Sequence, residues 1–343
     1  MMIVHTVKCS LEKECLIKCS DFKIRQMVDN LVIGSRGSEL ALWQAGWVKK
    51  ALSNVYQDIK IEIRIIKTKG DLVLDKPLPL IGGKGVFTKE IEEALLNEEI
   101  DLAVHSCKDL LSEITEDLVI GAIPTREIPS DVLITTDGIG LDALKANAVI
   151  ASGSIRRTAQ LLHYRKDLKT TDIRGNVPTR LKKFKKSNWG GMILAYSGLK
   201  RLDLLNRNCV ILDHKNMLPA VAQGALALQI RAGDTQISDT ISILNDKDSS
   251  DAVTAERSLL RRLEGGCQIP IGALSTVENS ELTIEAQITD MNGVDAVRDR
   301  LSGDRDDAEK LGIELAEKLL RDGGEEILSE IKELINSNFI PEA

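Results

Sequence analysis

Leu31-Val32-Ile33-Gly34-Ser35-Arg36-Gly37-Ser38 is the stretch on which the fold turns. Three apolar residues run into small and hydroxyl side chains, and Ser38 then stands as a helix N-cap before an amphipathic stretch over residues 39–55. A strand that ends in a tight turn and feeds a helix is the repeating unit of α/β proteins. The same order returns as Val149-Ile150-Ala151-Ser152-Gly153-Ser154-Ile155-Arg156-Arg157, with Ser154 as the cap. Outward from these two, short apolar or β-branched runs at 59–67, 102–105, 118–123, 132–135, 192–195 and 210–212 alternate with amphipathic segments such as 87–97 and 158–165. The alternation predicts an α/β fold.

At 343 residues, two or three domains are expected. One break is expected near 124–129, where two prolines join strand runs without a helix, and a second near 246–250. Beyond it the pattern becomes a helix over 252–263, a strand pair around 283–288 and two acidic helices ending near 336, a small α+β third domain. Residues 1–29 have no periodicity and read as an extension outside the core, or as sequence upstream of a start at Met27. They carry no secretory pattern, so a reducing cytoplasm is expected.

Composition narrows the function. No apolar run approaches the roughly 18 residues of a membrane span. Aromatics are only 3%, few rings for stacking bases, so no nucleic-acid partner is expected. The formal net charge of -7 hides an asymmetry: residues 233–343 carry 11 Lys and Arg against 25 Asp and Glu, so the basic excess lies upstream. It is densest over 156–186, with 11 Lys and Arg against Asp167 and Asp172, which points to an anionic ligand. Lys182, Lys183, Lys185 and Lys186 read as a solvated helix face. Cys9, Cys15 and Cys19, at x5 and x3 spacings, match no zinc pattern, and no metal is expected.

Arg156 and Arg157 stand in a first helical turn, where the helix dipole disfavours cations, so an anion is expected beside them. The rival reading pairs them with the acidic third domain. Arg36 lies in the equivalent turn between Ser35 and Ser38, and Arg174-Gly175-Asn176-Val177-Pro178-Thr179-Arg180 repeats the theme. So many guanidiniums exceed the need of one phosphate and suit a ligand with several carboxylates. Gly82-Gly83-Lys84-Gly85 lacks the spacing of a nucleotide loop and reads as a glycine-hinged lid, or as an ordinary surface loop. His105-Ser106-Cys107-Lys108-Asp109 follows an apolar strand, which puts Lys108 and Asp109 at a strand's carboxyl end; Asp109 reads as a helix cap or as a general acid. Gly265-Gly266-Cys267 lets a cysteine project on a loop, the setting of a nucleophile or covalent tether; a buried thiol is the plainer alternative.

Taken in order, Ile33 to Ala45, Gly82 to Phe87, His105 to Asp109, Arg174 to Arg180 and Glu264 to Cys267 resemble the porphobilinogen deaminase (hydroxymethylbilane synthase) family over about residues 30–335. The resemblance implies two doubly wound domains like those of type II solute-binding proteins, over 30–124 plus 225–243 and over 129–219, and a third domain over 247–338 bearing the cysteine. It implies a transferase of heme and porphyrin biosynthesis that joins four porphobilinogens head to tail, with loss of ammonia, on a dipyrromethane cofactor held by Cys267. By the same resemblance Asp109 and Lys108 are catalytic. Lys84, Ser38, Ser154, Arg156 and Arg157 attend the cofactor; Arg36, Arg174, Arg180, Arg201, Phe87 and Gln223 attend the substrate. A monomer handing its product to uroporphyrinogen-III synthase is the expected partnership.

Three positions depart from the family pattern: Leu80 for a common lysine, Leu111 for a proline and Ala222 for a glycine. The rival class is a non-catalytic anion-binding or sensor module on the same architecture. Cys267 discriminates, since a binding module has no use for a cysteine on a glycine loop.

Overall fold

The computed structural model describes residues 28–72, 85–264 and 269–337. In chain order the elements are β1 (Asn30–Ser35), α1 (Glu39–Val55), β2 (Lys60–Ile65), α2 (Lys69–Leu72), α3 (Lys89–Leu96), β3 (Leu102–Ser106) and β4 (Leu118–Ala122). There follow β5 (Asp131–Ile134), β6 (Val149–Ala151), α4 (Ile155–Tyr164), β7 (Lys169–Thr171), α5 (Val177–Lys185), β8 (Gly191–Ala195), α6 (Tyr196–Arg201) and β9 (Cys209–Ile211). The chain then returns through β10 (Leu226–Arg231) and α7 (Thr235–Ser242). It ends in α8 (Lys247–Arg262), β11 (Ile271–Glu278), β12 (Glu281–Thr289), β13 (Ala296–Asp304), α9 (Ala308–Leu319) and α10 (Glu325–Ser337).

Two mixed sheets share one topology. The first runs β2-β1-β3-β10-β4 and the second β7-β6-β8-β5-β9. In each, four strands run in one direction and the fourth in order, β10 or β5, runs against them, antiparallel to both of its neighbours. Those two strands are the first that the chain forms after crossing from one sheet to the other, over 123–130 and 212–225.

Both sheets are covered on two faces, as the doubly wound reading expects. In β1, Leu31 and Ile33 point into a core with Ala45, Val48 and Leu52 of α1 and Ile237 and Ile241 of α7. Val32 points the other way, onto Ile91 and Leu95 of α3. Strand alternation sends neighbours to opposite faces, and each such buried Leu or Ile contributes about 1.5–3 kcal/mol. In the second sheet Leu133, Ile150 and Ile193 pack with Leu161 of α4, while Val132, Ile134 and Met192 pack with Phe184 of α5 and Leu199 of α6.

The third unit is an antiparallel meander, β11-β12-β13, packed against α8, α9 and α10. Three strands stand where the sequence suggested a pair, since the polar alternation of β13 left it unread. Its core extends beyond its own elements to Cys107, Leu110, Ile123, Val221 and Ala222. The break expected over 246–250 is taken up by the first turn of α8, where Asp246 caps Ser249 N. Glu256 of α8 is wholly buried and binds both crossings: it accepts two hydrogen bonds from Arg126 at 2.7 and 3.0 Å and one from Ala222 N at 2.6 Å, besides one from Ser275 N of β11 at 2.7 Å.

Candidate active site

Local sequence builds each wall of the site. Ser38 Oγ accepts from Ala41 N at 3.3 Å and Ser154 Oγ from Arg157 N at 3.5 Å, so both serines cap their helices as expected. As acceptors there, they keep a hydroxyl proton for an anion. Asn176 caps α5 and Pro178 sits in its first turn. β3 ends in a single tight turn, Cys107–Asp109, that presents Lys108 and Asp109 at the carboxyl end of the strand.

At the centre lies a carboxylate that the sequence reading passed over. Asp131, the first residue of β5, is wholly buried. Arg156 reaches its Oδ2 at 2.8 Å and Arg157 its Oδ1 at 2.8 Å, so the anion beside this first helical turn is internal and belongs to the second sheet. Gln223 Nε2 donates to Asp131 Oδ1 at 2.9 Å, and its Oε1 accepts from Lys108 Nζ at 3.2 Å and from Arg157 Nη2 at 3.4 Å. The carboxyl is buried, which alone would raise its pKa, but the two arginines and the Gln223 bond hold it far below the usual carboxylate range.

The cations feel one another. Burial pulls Lys108 down to about 8, with Arg157 adding repulsion and Asp109 and Asp131 opposing it. Burial also pulls Arg180 down to about 10; Arg157 and Arg174 repel it, and Asp172 and Asp109 attract it. Asp109, Lys108, Arg157 and Arg180 therefore share one field. Arg180 Nε is anchored on Gly175 O at 2.7 Å, and Arg174 pairs with Asp172 at 3.1 Å.

Two expected ligand residues lie apart from this node. Arg36 stacks on the Phe87 ring, 4.1 Å from its centroid, and a Cβ on Gly70 would sit 2.2 Å from that ring, so a side chain there would displace it. Arg201 donates to Gly224 O at 2.6 Å and faces Trp43 of α1 at 5.9 Å, bridging α6, a crossing and the first sheet's helix. His105, buried behind the turn, has its pKa lowered to about 4 by desolvation, so it is neutral near pH 7 and no proton donor. Lys84, Leu80 and Cys267 lie outside the described residues.

Dipyrromethane carries acetate and propionate groups. Residues present suit such an anion: at the node Lys108, Arg156 and Arg157 face Asp131, a surplus of positive charge, and Arg156 Nε is buried with no acceptor among the described residues. Among those residues no group of His, Cys, Asp and Glu is arranged to hold a metal, and no helix is long and apolar enough to cross a membrane.

Comparison with known proteins gives the same direction. The family model "Porphobilinogen deaminase, dipyromethane cofactor binding domain" matches residues 31–239, and "Porphobilinogen deaminase, C-terminal domain" matches 251–321. The porphobilinogen deaminase of Chlorobium phaeobacteroides (strain BS1) is 45% identical over 310 residues, 89% of this chain and 99% of the relative. That of Moorella thermoacetica is 47% identical over 303 residues, 88% and 96% of the two chains, and that of Geobacter sulfurreducens 46% over 316 residues, 92% and 99%.

Proposed function

Because the chain belongs to the porphobilinogen deaminase family, we propose that the node of Lys108, Asp109, Arg156, Arg157 and Gln223 is where it joins four porphobilinogens, with loss of ammonia, into hydroxymethylbilane. The observation that carries this reading is the hydrogen-bonded convergence of Lys108, Arg157 and Asp131 on Gln223, beside the strand-end turn that bears Asp109. Bound dipyrromethane supplies the pyrrole carbon to which substrate is joined and remains with the protein after product leaves.

Asp109 as an acid gives a proton to the leaving amine of porphobilinogen, and as a carboxylate it offsets the positive charge left on that ring. Arg156, Arg157 and Lys108 take the cofactor carboxylates, a task that the family resemblance extends to Lys84, Ser38 and Ser154. Their orientation comes from Asp131 and Gln223, which are already hydrogen-bonded on the far side. Arg36, Arg174, Arg180 and Arg201 serve the substrate carboxylates, with the Phe87 ring holding Arg36 flat. Cys267, which follows α8 in the sequence, is the attachment point. The working form is a cytoplasmic monomer that passes its product to uroporphyrinogen-III synthase, and the domain limits are 30–124 plus 225–243, 129–219 and 247–338.

Intact mass of the purified active chain tests the attachment. It should exceed the polypeptide by a two-pyrrole adduct that reacts with Ehrlich's reagent and is absent from Cys267→Ser. Active protein of bare polypeptide mass would sink the assignment.

A further inference from the structure

Asp109 lies in a three-residue turn, and the chain from Leu110 to Asp117 is irregular until β4 begins. Leu110 is buried in the third unit's core. Past it a cavity of about 370 Å³ opens behind the segment, lined by Ser112, Ile114, Val253, Arg257 and Arg261, before Ile114 packs again on the core and Thr115 Oγ1 donates to Glu92 Oε2 at 2.8 Å. Between Leu110 and Ile114 the backbone is held by Arg257 of α8. Its Nη2 donates to Leu111 O at 2.6 Å and to Ser112 O at 3.2 Å, and the guanidinium also lies beside the Cys107 thiol, so it grips the turn before and after Asp109. The residue is only 9% exposed.

We propose that Arg257 is a positioning residue for Asp109, setting the carboxyl's place relative to the third unit through the 110–112 backbone. This rests on the reading of Asp109 as the acid. Charge-assisted bonds to two successive carbonyls restrict the segment in a way that side chains beside an open cavity do not.

The test uses full-length holoenzyme. Arg257→Ala should keep its cofactor mass and its KM within about threefold while kcat falls about a hundredfold, the scale of a misplacement near 1 Å. The cavity leaves room for a soluble replacement, so guanidinium ion, far below unfolding concentrations, should restore much of the lost kcat in Arg257→Ala and none in wild type. Arg257→Gln, too short to reach the carbonyls, should show the same loss and serves if the alanine variant does not fold. Arg261→Ala, an exposed residue paired with Glu309 on the same cavity, should leave turnover unchanged. Normal kcat in both Arg257 variants, or a loss in Arg257→Ala that guanidinium does not relieve, overturns the proposal. Asp109→Asn run in parallel separates the two readings: an active Asp109→Asn removes the acid itself, whereas an inactive one beside a fully active Arg257→Ala removes only the positioning role.

Discussion

Asp131 and Gln223 close the two separate crossings between the main sheets and are bonded to each other, Gln223 Nε2 donating to Asp131 Oδ1 at 2.9 Å. The same carboxylate holds Arg156 and Arg157 of α4, and the same amide holds Lys108 of the first sheet. Movement of one sheet against the other would strain this pair. The cations of the node keep their spacing only while it stays intact.

Removing that carboxylate leaves two buried guanidiniums uncompensated, so Asp131→Asn should destabilise the fold by about 3–5 kcal/mol and lower cofactor content. The pKa of Asp131 is depressed on folding, so its contribution is fully present above the ordinary carboxylate pKa near 4 and drains away as pH falls further. Urea unfolding of both proteins should give a difference that is constant from neutrality to about pH 5 and shrinks below about pH 4. A difference that widened in acid would contradict the assignment.

Asp109→Asn preserves shape and removes the ionisable oxygen. Fold and cofactor mass should persist while kcat drops roughly 10²–10⁴-fold, the usual worth of a general acid. Stopped-flow release of ammonia measures it, and near-normal turnover would make the residue structural.

Lys108 gives a pH signature. Its folded pKa of about 8 lies below the unfolded value near 10.4, so its burial costs stability below pH 8 and that cost is relieved between the two values. Its charge, which an anionic cofactor needs, is lost as pH rises through about 8. Cofactor uptake by apoprotein should therefore fall across that range and cease to do so in Lys108→Arg, whose guanidinium stays charged. Identical profiles would remove Lys108 from cofactor capture.

Ala222 adopts φ of +57°, the left-handed region that favours glycine, and is wholly buried. The family resemblance also leads one to expect glycine there. Ala222→Gly should relieve about 1 kcal/mol and raise the apparent Tm by about 2 °C. A lower Tm would mean that packing of the Ala222 methyl outweighs the backbone strain.

How much was legible depends on how local each signal is. α1 occupies 39–55 as read, because Ser38, Glu39 and the buried series Ala41, Ala45, Val48, Leu52 lie within one stretch. β7 was missed, since Lys169–Thr171 is short and carries no apolar residue. The place of β10 in the first sheet came only from resemblance; an apolar run states no partner. Asp131 gave no local sign beyond a carboxylate at the head of an apolar run. Its meaning depends on arginines 25 and 26 positions later. A charge at the entrance of a fully buried strand demands a buried counter-charge, and that reasoning could have found it.

The shared topology has a consequence for synthesis. Every strand of the second sheet lies between residues 131 and 211, whereas β3 and β4 of the first are joined only by β10, which the ribosome makes later. Chains usually mature from the amino end, but here the central sheet can close while the amino-terminal one still has a gap. Nascent chains stalled before residue 226 has emerged should resist protease over 131–211 and be cut around 118–122. Protection of both regions in such chains would show that the first sheet closes without its late strand.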